Sequence, residues 1–330
     1  MPSEELIAGI DLGGTKIQAA LVDADGKIHA SDRCKTLAEE GEDAVIGRII
    51  ELTDGLCREL GVSPKALRAI AVGVPGGVDD QAGIVDKAPN LGWTKVPLAR
   101  RLSEALGTPR VVLDNDVRVA VLGEWAYGVG RGSRTMIGIF IGTGVGGGLV
   151  IDGKLHTGAR GVAGELGHMV LEPGGPRCSC GRRGCVEALT SRTAIERELR
   201  ARSKQGDKSR ALRIMKKEDR PRLTSSVVER ALQEGDELLE EVLADVQSHL
   251  GQAIGNLINL IDPEVVVIGG GIAERLGDRF VAPIREAAWK QALVQRGREA
   301  IRIEATQLRE TAAPLGAAYL ARQRFAGPHI

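Results

Sequence analysis

The sequence predicts an α/β fold built as two related domains, on three observations. Short apolar runs rich in Ile and Val alternate with longer stretches of helical spacing. Leu6–Val22 and Thr135–Ile151 repeat one pattern of strand, Thr-bearing glycine turn and strand, the only internal repeat in the chain. A third glycine cluster, Gly269–Gly271, follows the buried-type strand Val265–Ile268.

Taken in order, Leu6–Asp11, Ile17–Val22 and Lys27–Ser31 read as consecutive strands, joined at Gly13–Gly14 and Asp23–Gly26 by turns short enough for antiparallel hairpins. Ala44–Leu60 has helical apolar spacing and stops at Gly61, a residue suited to the left-handed position after a helix. Ala69–Val74 is a buried strand running into Pro75–Gly77, and Val111–Asp114 is another. The second hairpin pairs Thr135–Ile141 with Gly146–Ile151, and Asp152–Gly153 makes a further turn. Glu196–Arg222 is polar and mixed in charge, which reads as a solvated helical insertion. Val227–Ile261 is helical with a break near Gly235–Asp236 and ends at Pro263. Asp278–Gln291 and Ala313–Arg322 are further helices.

Composition narrows the function. The 330 residues carry 44 Lys+Arg against 44 Asp+Glu, so no net charge draws the chain to nucleic acid or an anionic membrane. No apolar run approaches the roughly 18 residues of a membrane span, and the acidic start MPSEELIAGIDLGG lacks the basic region of a signal peptide. A cytoplasmic location is expected, and five cysteines there point to metal or redox chemistry rather than a disulfide framework.

Two glycine loops offer bare backbone N–H groups to an anion. In Asp11-Leu12-Gly13-Gly14-Thr15-Lys16, Asp11 can hold a hydrated Mg²⁺, while Thr15 and Lys16 can meet phosphate oxygens. Alone, the loop reads equally as a tight turn with a surface lysine, and it is not a P-loop. Gly142-Thr143-Gly144-Val145-Gly146-Gly147-Gly148 puts five glycines in seven residues, an entropic cost from which an ordinary hairpin gains nothing. No helix follows it, so a dinucleotide fold fits poorly. At Gly269, Gly270 and Gly271 a base or ribose can lie against backbone.

Cys178, Cys180 and Cys185, with His168 ten residues before the first, form a Cys₃His set suited to a closed tetrahedral Zn²⁺ site, an Fe–S site being less typical. Cys34 and Cys57 read as small core residues. Asp114-Asn115-Asp116 ends one strand and opens a helix, where a carboxylate can meet a ligand and where Asp114 or Asn115 can equally cap the helix. Glu165 and Glu187 bracket the metal ligands, so folding of the knot is expected to bring them together. Such carboxylates suit a polyhydroxylated substrate, and a kinase needs an Asp to accept the proton of the attacking hydroxyl.

AGIDLGGTK, GVPGGVD, LDNDVRVAVLGE, IFIGTGVGGGLV, GELGHMVLEPGG, CSCGRRGCVE and INLIDPEVVVIGGG resemble, in this order, the ROK (repressor, open reading frame, kinase) family, from about Leu6 to Leu320. Ser203–Leu223 looks like a family-variable insertion. The resemblance implies a two-domain actin/hexokinase-like (ribonuclease H-like) fold closing over sugar and ATP in an interdomain cleft. Residues 1–114 with 314–330 are expected to form the smaller domain, and 115–313 the larger. It implies ATP-dependent phosphorylation of glucose, with Asp116 as the base that deprotonates the 6-hydroxyl. Asn115, Glu165, His168 and Glu187 would hold other sugar hydroxyls, with Gly76, Gly77 and Asn90 completing the pocket. Asp11, Gly13, Gly14, Thr15 and Lys16, with Thr143, Gly144, Gly146, Gly147 and Gly148, would take the phosphates of ATP with Mg²⁺, and Gly269–Gly271 the adenosine. Zn²⁺ on His168, Cys178, Cys180 and Cys185 would be structural, and the protein a homodimer or homotetramer. Within the family the alternatives are N-acetylmannosamine or another hexose as substrate, or a sugar-sensing regulator. The regulator is disfavoured because only five residues precede the first strand, leaving no room for a helix-turn-helix. A dehydrogenase is the competitor from another class.

Overall fold

The computed structural model describes residues 6–325, and packing divides the chain into two compact units. The first takes the chain up to Gly132, Leu155–Ala163, and everything from Glu310 onward; the second is Ser133–Lys154 with Gly164–Arg309.

In the first unit β1 (Ile7–Leu12), β2 (Lys16–Val22) and β3 (Ile28–Lys35) form an antiparallel meander. The helix α1 (Glu42–Glu59) follows, and Gly61 with φ +66° closes it through N–H bonds from Gly61 to Arg58 O and from Val62 to Cys57 O. Next comes β4 (Ala69–Val74), then a small antiparallel sheet of β5 (Gly77–Asp79), β6 (Ile84–Ala88) and β7 (Trp93–Val96). The helix α2 (Leu98–Leu106), β8 (Val111–Asn115) and the helix α3 (Asp116–Tyr127) complete the first pass. The main sheet has the order β3-β2-β1-β4-β8, with β4 and β8 parallel to β1. Apart from Asp11 in β1 and Asp114 and Asn115 in β8, near the strands' C-terminal ends, all three parallel strands are apolar and mostly buried, as such sheets require.

The second sheet repeats this order. β9 (Met136–Ile141) pairs antiparallel with β10 (Val145–Ile151), β11 (Lys154–Leu155) lies beyond, and β12 (Val265–Gly269) and β13 (Arg302–Ala305) run parallel to β9. The order is β11-β10-β9-β12-β13, so the repeat visible in the two hairpins extends to whole sheets. Seven helices belong to this unit: α4 (Val186–Thr190), α5 (Arg192–Lys204), α6 (Arg210–Lys217), α7 (Ser225–Gln233), α8 (Glu237–Ile261), α9 (Gly271–Leu276) and α10 (Asp278–Gln291).

Three differences from the sequence reading have physical causes. The unit boundary falls after Gly132 rather than Asp114, because α3 packs backbone to backbone on the C-terminal helix Ala312–Arg324. A Cβ on Gly123 would collide with Ala312 O, and one on Gly316 with Val119 O. The charged 196–222 stretch is not merely a wet insertion, since Leu199, Ala211, Ile214 and Met215 are buried in the core of the second unit. The expected strand Lys27–Ser31 continues to Lys35 because pairing with β2 holds exposed polar residues extended. Among the described residues no helix is long and apolar enough to cross a membrane.

The same close approach recurs in the second unit, where Gly251 and Gly255 let α8 lie on α10 at Ala287, Ala288 and Gln291. Two glycine substitutions are expected to move stability in opposite directions. Gly316→Val forces the C-terminal helix off α3 and costs about 1–3 kcal/mol. Gly47→Ala, in α1 where an added Cβ meets nothing within 4 Å, gains up to about 1 kcal/mol. Urea unfolding of both variants checks the pair.

Candidate active site

In the first unit the predicted residues gather at the C-terminal ends of the parallel strands β1, β4 and β8, the edge where α/β sheets bind ligands. Asn115 caps α3: its Oδ1 accepts from the N–H groups of Val117 (3.0 Å) and Arg118 (3.1 Å), and its Nδ2 donates to Gly76 O at 3.3 Å. Gly76, at φ +112°, admits no side chain, because a Cβ would collide with Lys87 O. Asp116 opens α3 and accepts the Val117 N–H at 2.9 Å. Gly73 makes room for it, since a Cβ there would stand 3.2 Å from Asp116 Cα. Behind them, buried Asp114 pairs with buried Arg118, which also donates to Gly161 O.

Asp11 sits at the end of β1, where burial, and then the charge of Asp116, push its carboxyl up to about 7 against the pull of Lys16. Two acids this closely coupled invite a cation. The loop after Asp11 is held by Thr36, whose hydroxyl donates to Gly13 O at 2.7 Å and whose N–H donates to Thr15 O at 3.0 Å. Gly14 lies against Asn90, an added Cβ being 3.2 Å from Asn90 Cβ, which joins these two predicted residues. Gly77 begins β5 and is exposed. The Lys16 ammonium donates to Gln18 Oε1 (3.0 Å) and pairs with Glu310 (3.3 Å), which Arg33 also engages.

In the second unit Gly142–Thr143 and Gly269–Gly271 end the adjacent parallel strands β9 and β12. Gly270 has φ +95°, and a Cβ on it would collide with Ile141 O. A Cβ on Gly269 would collide with the Phe140 ring. These glycines therefore bring the two loops side by side. Gly146, Gly147 and Gly148 lie within β10, as the hairpin pairing of Gly146–Ile151 expects, opposite Phe140, Ile139 and Gly138, and so stand in the strand beyond the glycine turn itself. Gly147 serves packing, since a Cβ would stand 2.6 Å from the Leu166 side chain. Thr143 is held on three sides, with Arg192 Nη2 donating to its hydroxyl at 2.8 Å, Thr193 Oγ1 donating to its carbonyl at 2.7 Å, and Arg192 N–H donating to Gly142 O at 3.0 Å.

The knot forms from a stretch with little regular structure. Cys178 N–H donates to Arg182 O (2.8 Å) and Gly181 N–H to Cys178 O (3.0 Å). Gly184, at φ +73°, presses so closely on Glu172 that no side chain fits. The ligand atoms of His168, Cys178, Cys180 and Cys185 all lie within 4.8 Å of one another. Cys180 Sγ and Cys185 Sγ are 3.7 Å apart, too far for a disulfide, and Cys178 Sγ is 3.6 Å from His168 Nδ1. Atoms about 2.0–2.3 Å from one tetrahedral ion stand about 3.5–3.8 Å apart, so the donor set fits such an ion.

Glu187 links this knot to the glycine loop. Its Oε1 accepts from Ser179 Oγ (2.7 Å) and Cys178 Sγ (3.5 Å), and its Oε2 accepts the Val145 N–H (3.1 Å). Gly144 is bare because a Cβ would collide with that carboxylate. Glu165 is exposed and precedes the 3₁₀ turn Leu166–His168, accepting the His168 N–H through its carbonyl at 3.0 Å. Sequence reasoning missed Thr36, Arg118, Ser179 and Arg192. Only Arg192 carried a signal, a basic residue just after a Ser that caps a helix.

Because Asp11 holds its proton more tightly in the folded chain, its favourable contribution is fully present below the ordinary carboxylate value and is lost as pH rises through about 7. Urea midpoints of the nucleotide-free protein should therefore fall less between pH 4 and 7 in Asp11→Asn than in the parent. Parallel profiles would show that Asp11 is not strained.

The profile described as ROK family matches residues 7–324. The chain is 37% identical to the glucokinase of Thermotoga maritima, over 99% of this chain and all of that one. It is 30% identical to the xylose repressor of Caldicellulosiruptor bescii, over 94% of this chain and 76% of the repressor. In structure it is similar to a ROK family glucokinase from Streptomyces griseus solved in complex with glucose and AMPPNP, with TM-score 0.82, 31% identity, and coverage of 96% of this chain and 99% of that one. The two-domain actin/hexokinase-like fold is thus shared, and the chain belongs to the ROK family.

Proposed function

We propose that this protein is a glucokinase that transfers the γ-phosphoryl group of ATP to the 6-hydroxyl of glucose. The observation that carries the reading is Asp116, the first residue of a capped helix at a sheet's ligand-binding edge, beside Asp11. The likeness to glucokinases, one of them bound to glucose and AMPPNP, supports it.

Asp116 accepts the proton of the 6-hydroxyl as that oxygen attacks the γ-phosphorus, and the bond to ADP breaks. Asn115 has given its Oδ1 to the helix, so it meets sugar only through its amide hydrogens. Asn90, Glu165 and His168 take other hydroxyls. His168 turns Nδ1 to the knot, which leaves Nε2 to donate outward. The Asp11 carboxylate suits a hydrated Mg²⁺, which when bound neutralises charge on the phosphates. Gly142–Thr143 and the N–H groups of Gly14 and Thr15 receive phosphates, the Gly13 N–H being taken by Lys16 O within the turn, and Gly269–Gly271 the nucleoside. Lys16, engaged by Glu310, is left out of this set.

The Cys₃His set holds structural Zn²⁺. Its role is to fix Ser179, whose hydroxyl donates to Glu187, and hence the Val145 N–H that Glu187 accepts at the end of the glycine loop; the bound Cys178 is a thiolate and donates to neither.

Asp116→Asn is expected to lower turnover by at least about a hundredfold with unfolding unchanged. Near-parental turnover in a coupled hexokinase assay would remove Asp116 as the base. Cys180→Ser is expected to lose zinc, measured by elemental analysis, and to raise KM for glucose. Metal-free protein with unchanged KM would break the link from knot to sugar. Running the same assay on N-acetylmannosamine and fructose tests the choice of sugar.

A further inference from the structure

We propose that Arg192 and Arg222 form a cationic clamp on the phosphate chain of the nucleotide donor, with Arg222 supplied by the charged stretch that follows the metal knot. The inference rests on the reading that the Gly142–Thr143 loop receives donor phosphates.

Arg192 opens α5 and donates from Nη2 to the Thr143 hydroxyl at 2.8 Å. That places a half-buried guanidinium directly on the predicted phosphate loop. Arg222 stands near it: burial, and then the positive charge of Arg222, hold the Arg192 guanidinium below its usual value. Arg222 is exposed, and two guanidiniums in this arrangement favour an anion from solvent. Among the described residues neither arginine forms an ion pair. Glu196 attracts Arg192 from a distance, but its carboxylate is committed elsewhere, to Arg200 at 2.8 Å and to the Leu223 N–H at 2.7 Å.

The Glu196–Leu223 bond explains how Arg222 is placed. It ties the end of the 196–222 stretch to the first turns of α5, one residue from Arg222. Two residues beyond Leu223, Ser225 packs against Gly271, where an added Cβ would stand 2.7 Å from Ser225 Oγ. Arg222–Ser225 therefore runs from the phosphate loop to the glycine cluster assigned to adenosine. Guanidinium forks match phosphate oxygens in geometry and charge, which a hydroxyl or backbone N–H alone does not.

Calorimetric titration of the full chain with ADP and with adenosine separates this role from a structural one. Arg222→Ala should weaken ADP binding by about tenfold or more while leaving adenosine binding unchanged. It should also lessen the salt dependence of ADP binding. Arg192→Lys should fall between Arg192→Ala and the parent, and intact adenosine binding reports that each variant is folded. Equal losses for ADP and adenosine, or no loss for ADP, would overturn the clamp while the kinase reading stands. A parent protein that binds neither nucleotide nor nucleoside would instead overturn the kinase reading itself.

Discussion

The second unit depends on four ligand atoms held within 4.8 Å of one another in a stretch that has almost no regular structure of its own. Between Gly164 and Cys185 there is one 3₁₀ turn and a pair of isolated bridges. Leu166 is buried in the unit's main core with Met169 and Leu171 packed against it, whereas the Cys-bearing half has only the small cluster of Cys178, Cys185 and Ala188. An ion shared by the four donors would order that half against its conformational entropy. What it orders is Glu187, whose two oxygens join the knot to the backbone of the glycine loop. The Cys₃His knot and the glycine loop are thus joined through one side chain.

The duplicated sheet supplies the rest. The same strand order appears twice, and in each copy the glycine loop follows the first strand, at the C-terminal ends of parallel neighbours. Glycine serves this plan in three ways. It lets helices touch backbone to backbone at Gly123, Gly316, Gly251 and Gly255. It admits the left-handed turns at Gly76, Gly184 and Gly270. It also clears space for a side chain that must approach, as Gly144 does for Glu187 and Gly147 for Leu166.

Local signals made much of this readable in the sequence. The two hairpins, the Cys₃His set and the Asp114–Asp116 motif are set by spacing over a few residues. The glycine run 146–148 reads both as the start of a strand and as part of a glycine loop, because composition does not distinguish a loop from a strand packed tightly against a neighbour. The small sheet β5–β7 and the edge strand β13 went unseen because each is only three to five residues long and mixes apolar with polar residues. The apolar face of α6 was hidden among basic residues, although Ala211, Ile214 and Met215 recur at helical spacing. Contacts such as Lys16 with Glu310, 294 residues apart, carry no local signature at all. Thr36 escaped for the same reason, and Arg192, though it follows a helix-capping Ser, acts on a loop 49 residues away in sequence.

The central claim is phosphoryl transfer to the sugar's primary hydroxyl, and ³¹P NMR of the purified protein with ATP, Mg²⁺ and glucose tests it most directly. The account predicts a phosphomonoester resonance coupled to the two protons on carbon 6, growing in step with ADP. Unchanged ATP, or ATP consumed to inorganic phosphate alone, would contradict it.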